Sequence, residues 1–185
     1  EVREKIVTAL AVQMTSDDKK RIQMKDTDNL EAYDYYLKAN ELCNSTDLET
    51  LVQGREQLQK AISLDPKFAK AYSAMGKTFF TQWVFGPDKD PEILNKVFEW
   101  AQKAIKINPD EPSGYSILSH YYLWTKQHDA GIVEIKKAIS LDPNNPEWMA
   151  AYGDLLTHSN QPEQGISLFL KAMRLDPKYP VWYMY

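Results

Sequence analysis

The sequence predicts an all-α protein built from tandem antiparallel helical hairpins. Three observations carry that expectation. First, one segment recurs four times: KAISLDP ending at Pro66, KAIKINP at Pro109, KAISLDP at Pro143 and KAMRLDP at Pro177. Second, the last two intervals are 34 residues each and the first is 43, so one 34-residue unit with a single nine-residue insertion accounts for all of them. Third, small and bulky residues recur at fixed offsets inside each period, as close packing of helix pairs requires.

The elements follow in chain order. Residues 1–30 read as a helical connector or cap. In EVREKIVTALAVQM, Val2, Ile6 and Leu10 form one stripe at helical spacing, and Val7, Ala11 and Met14 form an adjoining one. Thr15 or Ser16 caps a second short helix, SDDKKRIQM. This segment either covers the first hairpin or connects to an upstream domain. A chain that starts at Glu1 without a signal peptide reads as an excised piece of a longer protein.

Residues 31–185 read as the hairpin array. The first unit, 31–68, is irregular. Its first helix is EAYDYYLKANEL, with Tyr33, Tyr36, Leu37 and Ala39 on or near the buried face. A long loop, Cys43 to Asp47, leads to a helix from Leu48 to Leu64. The second unit, 69–111, carries the insertion within residues 82–95. GPDKDPE is turn chemistry, Asp90 caps the next helix and Pro91 opens it, and that helix, from about Pro91 to Ile107, is expected to be longer than its counterparts. The inserted stretch is either a binding loop or a tolerated surface insertion. Units 112–145 and 146–179 are regular. Residues 180–185 look like the start of a further first helix; their apolar residues Val181, Trp182, Tyr183, Met184 and Tyr185 offer a surface for more chain or for a second molecule.

Within the units the chemistry repeats. First helices present Tyr72, Met75, Gly76 and Phe79; then Tyr115, Leu118, Ser119 and Tyr122; then Met149, Tyr152, Gly153 and Leu156. Second helices present Val97, Ala101 and Ala104; Gly131, Ile135 and Ala138; Gly165, Phe169 and Ala172. Gly76, Ser119 and Gly153 let the two helices of a hairpin approach, the alanines admit the neighbouring hairpin, and each terminal proline ends a second helix. This pattern resembles the tetratricopeptide repeat family over most of residues 31–185. The resemblance implies a right-handed solenoid whose first helices line a concave groove, with a protein or peptide segment as its occupant.

By that rule the groove takes Lys70, Ser73 and Lys77 from one helix, Ser116, His120 and Trp124 from the next, and Ala150, Asp154 and His158 from the third. Trp124 either anchors a partner or closes the hairpin core. The Lys–Asn set by which some family members hold a terminal carboxylate is not matched, because Ser73 and Ser116 stand where its basic residue would be.

Composition narrows the function classes. The chain is 185 residues long with 43% hydrophobic content, enough for a real core. A net charge of −4 and a pI of about 5.4 disfavour nucleic acid as a partner, because phosphate contacts need clustered Lys and Arg. No apolar run has the length of a membrane span, and the single Cys43 forms no internal disulfide. There is no phosphate-binding glycine loop, no G-x-S-x-G and no H-E-x-x-H. His120, His128 and His158 lack metal-ligand spacing, and His128 reads as plain surface in a turn. The expectation is therefore no catalytic residue, no metal and no cofactor.

The order EKIVTALAVQMTSDDKKRI, DNLEAYDYYLKANEL, AISLDPKFAKAYSAMGKTFF adds a narrower resemblance, over about residues 3–80, to the carboxy-terminal region of bacterial class III adenylate/guanylate cyclases. It implies a regulatory or partner-binding module of a signalling protein. The alternatives are a stand-alone adaptor, or a self-association element of a transcriptional regulator or kinase. The cytoplasm is the expected compartment, with the periplasm following if the parent has an upstream membrane span.

Overall fold

The structure is a computed structural model that describes residues 26–177. The connector residues 1–25 and the apolar residues 180–185 lie outside that range.

Local chemistry explains where the helices begin. α1 (Leu30–Leu42) starts where the Asn29 side chain accepts from the Ala32 N–H, and α2 (Leu48–Leu64) where Asp47 accepts from Thr50. α3 (Ala69–Phe85) follows Phe68 without a side-chain cap. α4 (Pro91–Ile107) is capped by Asp90, which accepts from Glu92. α5 (Pro112–Trp124) is capped by Glu111, α6 (His128–Leu141) follows Gln127, and α7 (Pro146–His158) is capped by Asn145. α8 (Pro162–Leu175) completes the described chain. Proline opens α4, α5, α7 and α8, where its missing N–H costs nothing.

The second helices stop for one reason. Asp65, Asn108, Asp142 and Asp176 all leave the helical region, with φ between −143° and −123° and ψ between 81° and 100°. Each precedes Pro66, Pro109, Pro143 or Pro177, and a residue before proline is pushed toward extended backbone. The recurring xP step is thus a helix terminator written four times.

The helices pair as α1/α2, α3/α4, α5/α6 and α7/α8, and each second helix also packs on the next first helix. First helices touch each other along the array: α3 meets α5, and α5 meets α7. They form an inner layer and the second helices an outer one. Apolar side chains fill the space between layers, with Phe68, Leu58, Val97 and Ile135 fully buried.

The nine extra residues do not form a long loop. They lengthen the second hairpin: α3 and α4 have 17 residues each, against 13 and 14 in both later pairs. Only Gly86–Asp90 connects them, and the Lys89 ammonium donates to the carbonyls of Trp83, Val84 and Gly86 at the C-terminal end of α3.

Two expectations need correction. Leu37 is 44% exposed, Tyr33 lies at the edge of the buried face with its ring 6.4 Å from that of Phe68, and Tyr35 packs on the first core cluster beside Tyr36. The buried stripe of α1 runs through Ala32, Tyr36, Ala39 and Cys43, one step round from the expected one. His128 is not in a turn; it is the half-buried first residue of α6.

The small residues act as expected, with one refinement. Ala104 meets Gly114 of the following hairpin, and Ala138 joins a cluster with Trp148 and Ala151 of α7. Gly76 relieves two contacts together: a Cβ there would lie 2.9 Å from the Ile117 side chain and 3.4 Å from that of Trp100.

Candidate functional site

The inner layer encloses a groove of about 720 Å³. Because first helices run parallel, each contributes successive turns from one face, and the same ends of α3, α5 and α7 meet at one end of the groove. Lys70, Ser73 and Lys77 of α3, Ser116, His120 and Trp124 of α5, and Asp154 and His158 of α7 all line it. Ala150 does not. It is fully buried against Met149 and Ala172, because α7 presses this position onto α8.

The floor is polar and self-satisfied. Ser73 and Ser116 are almost completely buried, so they shape the groove more than they offer a reachable surface. Glu111 is only 7% exposed and makes three bonds: Ser113 donates through its backbone N–H at 3.1 Å and its hydroxyl at 2.7 Å, and Ser73 donates its hydroxyl at 3.3 Å. A carboxylate that caps a helix and collects hydroxyl donors can stay buried without a cation.

Charges on the walls are largely paired. Lys77 reaches from α3 to Glu147 at the start of α7 at 3.4 Å, passing over α5. Lys70 holds Asp26 at 3.0 Å, and His158 lies 3.2 Å from Asp154. All three pairs are partly exposed and so contribute little stability.

His120 sits at the centre. Its Nδ1 is 2.8 Å from the Ser116 carbonyl, which fixes the proton on that nitrogen, and its ring packs on Phe80 with centroids 4.5 Å apart. Burial pushes its pKa down; the Ser116 carbonyl, Asp154 and Glu147 pull it up and Lys77 lowers it further. The net direction is down, so the ring is held neutral. Tyr36, which closes the groove on the α1 side, has its phenol pushed up by burial and by Asp26 and Glu111.

Trp124 is 45% exposed and meets Trp83 edge to face at 6.3 Å, so it joins both open readings: one edge packs and the other faces the groove. His128 lines the groove as well, with its ring 6.4 Å from that of His158.

Sequence reasoning missed Phe80, Val84 and Phe85 on α3, Lys126 beyond α5, and Glu147 and Trp148 on α7. For α3 the signal was available: from Lys70, steps of three or four residues through Ser73 and Lys77 continue to Phe80, Thr81 and Val84. The longer α3 carries that face one turn past the ordinary end of a first helix.

Among the described residues no cluster of His, Cys, Asp and Glu could hold a metal ion, and no helix is long and apolar enough to cross a membrane.

Residues 112–145, the third unit, match the family model described as Tetratricopeptide repeat. The structure resembles that of a thermophilic TPR protein of Thermus thermophilus, with a TM-score of 0.68, 16% identity, and coverage of 86% of this chain and 78% of that one. It also resembles MamA, residues 41 to the end, from Desulfovibrio magneticus RS-1, with a TM-score of 0.52, 18% identity, and coverage of 83% and 77%. These likenesses show the fold alone. In sequence, 133 residues are 27% identical to "Putative adenylate cyclase 3" of Rhizobium meliloti (strain 1021), covering 70% of this chain and 22% of that protein. The chain therefore spans about a fifth of the length of that relative.

Proposed function

We propose that this array of tetratricopeptide-type hairpins is the partner-binding region of a longer bacterial signalling protein, and that it holds a protein segment in its concave groove. One observation carries the reading. Eight residues expected there from the repeat register and the family resemblance line a single groove, and its walls mix apolar anchors with polar groups, as binding sites do. The array is a scaffold, to which no catalytic step is assigned. The likeness to a protein named as an adenylate cyclase, together with the resemblance of residues 3–80 to the region that follows such catalytic domains, supports a role in regulating nucleotide-cyclase output.

A photo-crosslinking residue tests this in the full-length protein inside cells. Placed at Lys77 on the groove wall, it should yield a discrete protein adduct. Placed at Glu99, exposed on the outer helix α4, it should not. Equal yields from both positions would overturn the groove as the binding surface.

A second reading has its own observation. The outer face of α8 exposes Ile166, Leu170 and Leu175 to solvent. Ile166 lies 34 residues after Ile132, which packs against the following hairpin in the unit before. This face suits either further chain beyond the described residues or a second copy of the chain. Sedimentation that shows a dimer abolished by Leu170→Lys would favour self-association.

A further inference from the structure

We infer that the residues inserted in the second unit build an anchoring shelf, and that the segment it receives carries a bulky apolar side chain beside an acidic one. This deepens the groove reading above and rests on it.

The shelf is a product of helix length. Because α3 runs to Phe85, its last turn passes the level at which α5 ends in Trp124. That turn brings Trp83 edge-on to Trp124 and sets Val84 and Phe85 into the wall of the groove. Phe85 is 56% exposed and Trp124 45% exposed, at the same end of the groove. Phe85 belongs to none of the buried clusters, and Trp124 packs one edge on Trp83 and leaves the other open. Two large aromatic side chains left open in the lining of one groove are costly in water and fit an apolar anchor.

The rim beside the shelf carries one cation, Lys126, among polar side chains. Lys126 and His128 lie in the turn and first residue that follow Trp124, and His158 ends α7 next to them. Two carboxylates stand close by. Asp154 lies 3.2 Å from His158 Nδ1, and Asp129 lies on the exposed first turn of α6. Among the described residues Lys126 has no salt-bridge partner, unlike Lys70 and Lys77.

Lys126 is also held at φ 60°, the left-handed region that a lysine side chain disfavours. Its counterpart 34 residues on is Asn160, at φ 59°, a residue type that tolerates this backbone. The turn geometry favours Gly or Asn, so the lysine stands there against local preference, at the lining of the groove. An unpaired cation beside an open apolar shelf selects an acidic residue beside an apolar one.

The test pans a phage-displayed library of random dodecapeptides against the 185-residue chain, then measures binding of the enriched peptides by fluorescence anisotropy. Enriched peptides should share an aromatic or large aliphatic residue next to Asp or Glu. Phe85→Ser should weaken them about tenfold, the loss expected of one apolar anchor. Lys126→Asn should weaken them at low salt while raising the melting temperature, a combination a merely structural lysine would not give. If enriched peptides are indifferent to both changes yet lost on Lys77→Trp, which blocks the middle of the groove, the shelf is wrong and the groove stands. If Lys77→Trp is harmless too, or no peptide is enriched, both fail.

Discussion

Gly153 and Gly165 meet backbone to backbone across the last hairpin: a Cβ on Gly153 would lie 2.9 Å from the Gly165 carbonyl oxygen, and one on Gly165 2.7 Å from the carbonyl of Gly153. Neither oxygen can step aside, since each belongs to a helix. Gly165→Val should therefore push α7 and α8 apart and cost about 1–3 kcal/mol, the range for overpacking. The contrast is Gly54→Ala, whose Cβ meets the Cys43 sulfur at 3.2 Å and the Leu42 Cβ at 3.4 Å. There the crowding is milder, and Ala gains about 0.5–1 kcal/mol over Gly in a helix interior, so the change should be near neutral. Chemical denaturation of both variants checks the pair.

Arg55 ties the first unit to the second. Its guanidinium donates to the Thr78 hydroxyl at 2.8 Å, the Thr78 carbonyl at 3.0 Å and the Gln82 side-chain oxygen at 2.7 Å, and lies over the Phe79 ring at 3.9 Å. A lysine cannot reproduce a planar fork stacked on a ring. Arg55→Lys should cost about 1–2 kcal/mol and Arg55→Ala more, because charged hydrogen bonds are lost from a partly buried site. The unfolding midpoint in urea reads the difference.

His120 predicts a pH dependence. Burial lowers its pKa in the folded chain below the ordinary 6.5, so the unfolded chain binds more protons as acid is added. Its contribution is present above the ordinary value and is lost as pH falls toward the lowered one. Glu147 and Asp154 limit the loss, and Lys77 increases it. Between pH 7.5 and 5.5 the parent chain should lose more thermal stability than His120→Gln; parallel losses would show that the imidazole is not responsible.

Cys43 should be unreactive in the folded state. It is buried beside Gly54 and Ala39, and burial pushes its thiol up to about 11, offset only in part by Lys77 and Arg55. Few thiolates exist at pH 8, and a thiolate is the reacting species. A chromogenic disulfide reagent should label the native chain slowly and the urea-unfolded chain at once.

Glu111, which bonds the groove residues Ser73 and Ser113, should prove structural. Removing its carboxylate leaves the Ser113 N–H uncapped and the Ser73 hydroxyl without that acceptor. Glu111→Ala should cost about 1–2 kcal/mol by loss of the helix cap. Circular dichroism melts measure it.

Much of this protein was legible in the chain because repetition and proline act locally. The 34-residue spacing, the Asp90–Pro91 start of α4 and the xP stops depend on a few neighbouring residues, and the helices begin and end there. The groove was legible at Lys77, His120 and Trp124 because helical spacing fixes which residues share a face. It failed at Ala150, since a small residue on that face can be covered by the partner helix, as α8 does here. It failed at Leu37 because α1 has apolar residues on two sides, and only contact with α2 and α3 chose between them.

The insertion divides the two sources of information most clearly. By itself the sequence determined that nine residues were added and that GPDKDPE turns, because Gly, Asp and Pro bias the backbone wherever they stand. The sequence also implied the longer α4, and only the tertiary structure decided that the remaining inserted residues extend α3. Their side chains find neighbours across hairpins, as Trp83 finds Trp124 and Gln82 finds Arg55. Such contacts join residues dozens of positions apart, and no local preference encodes them.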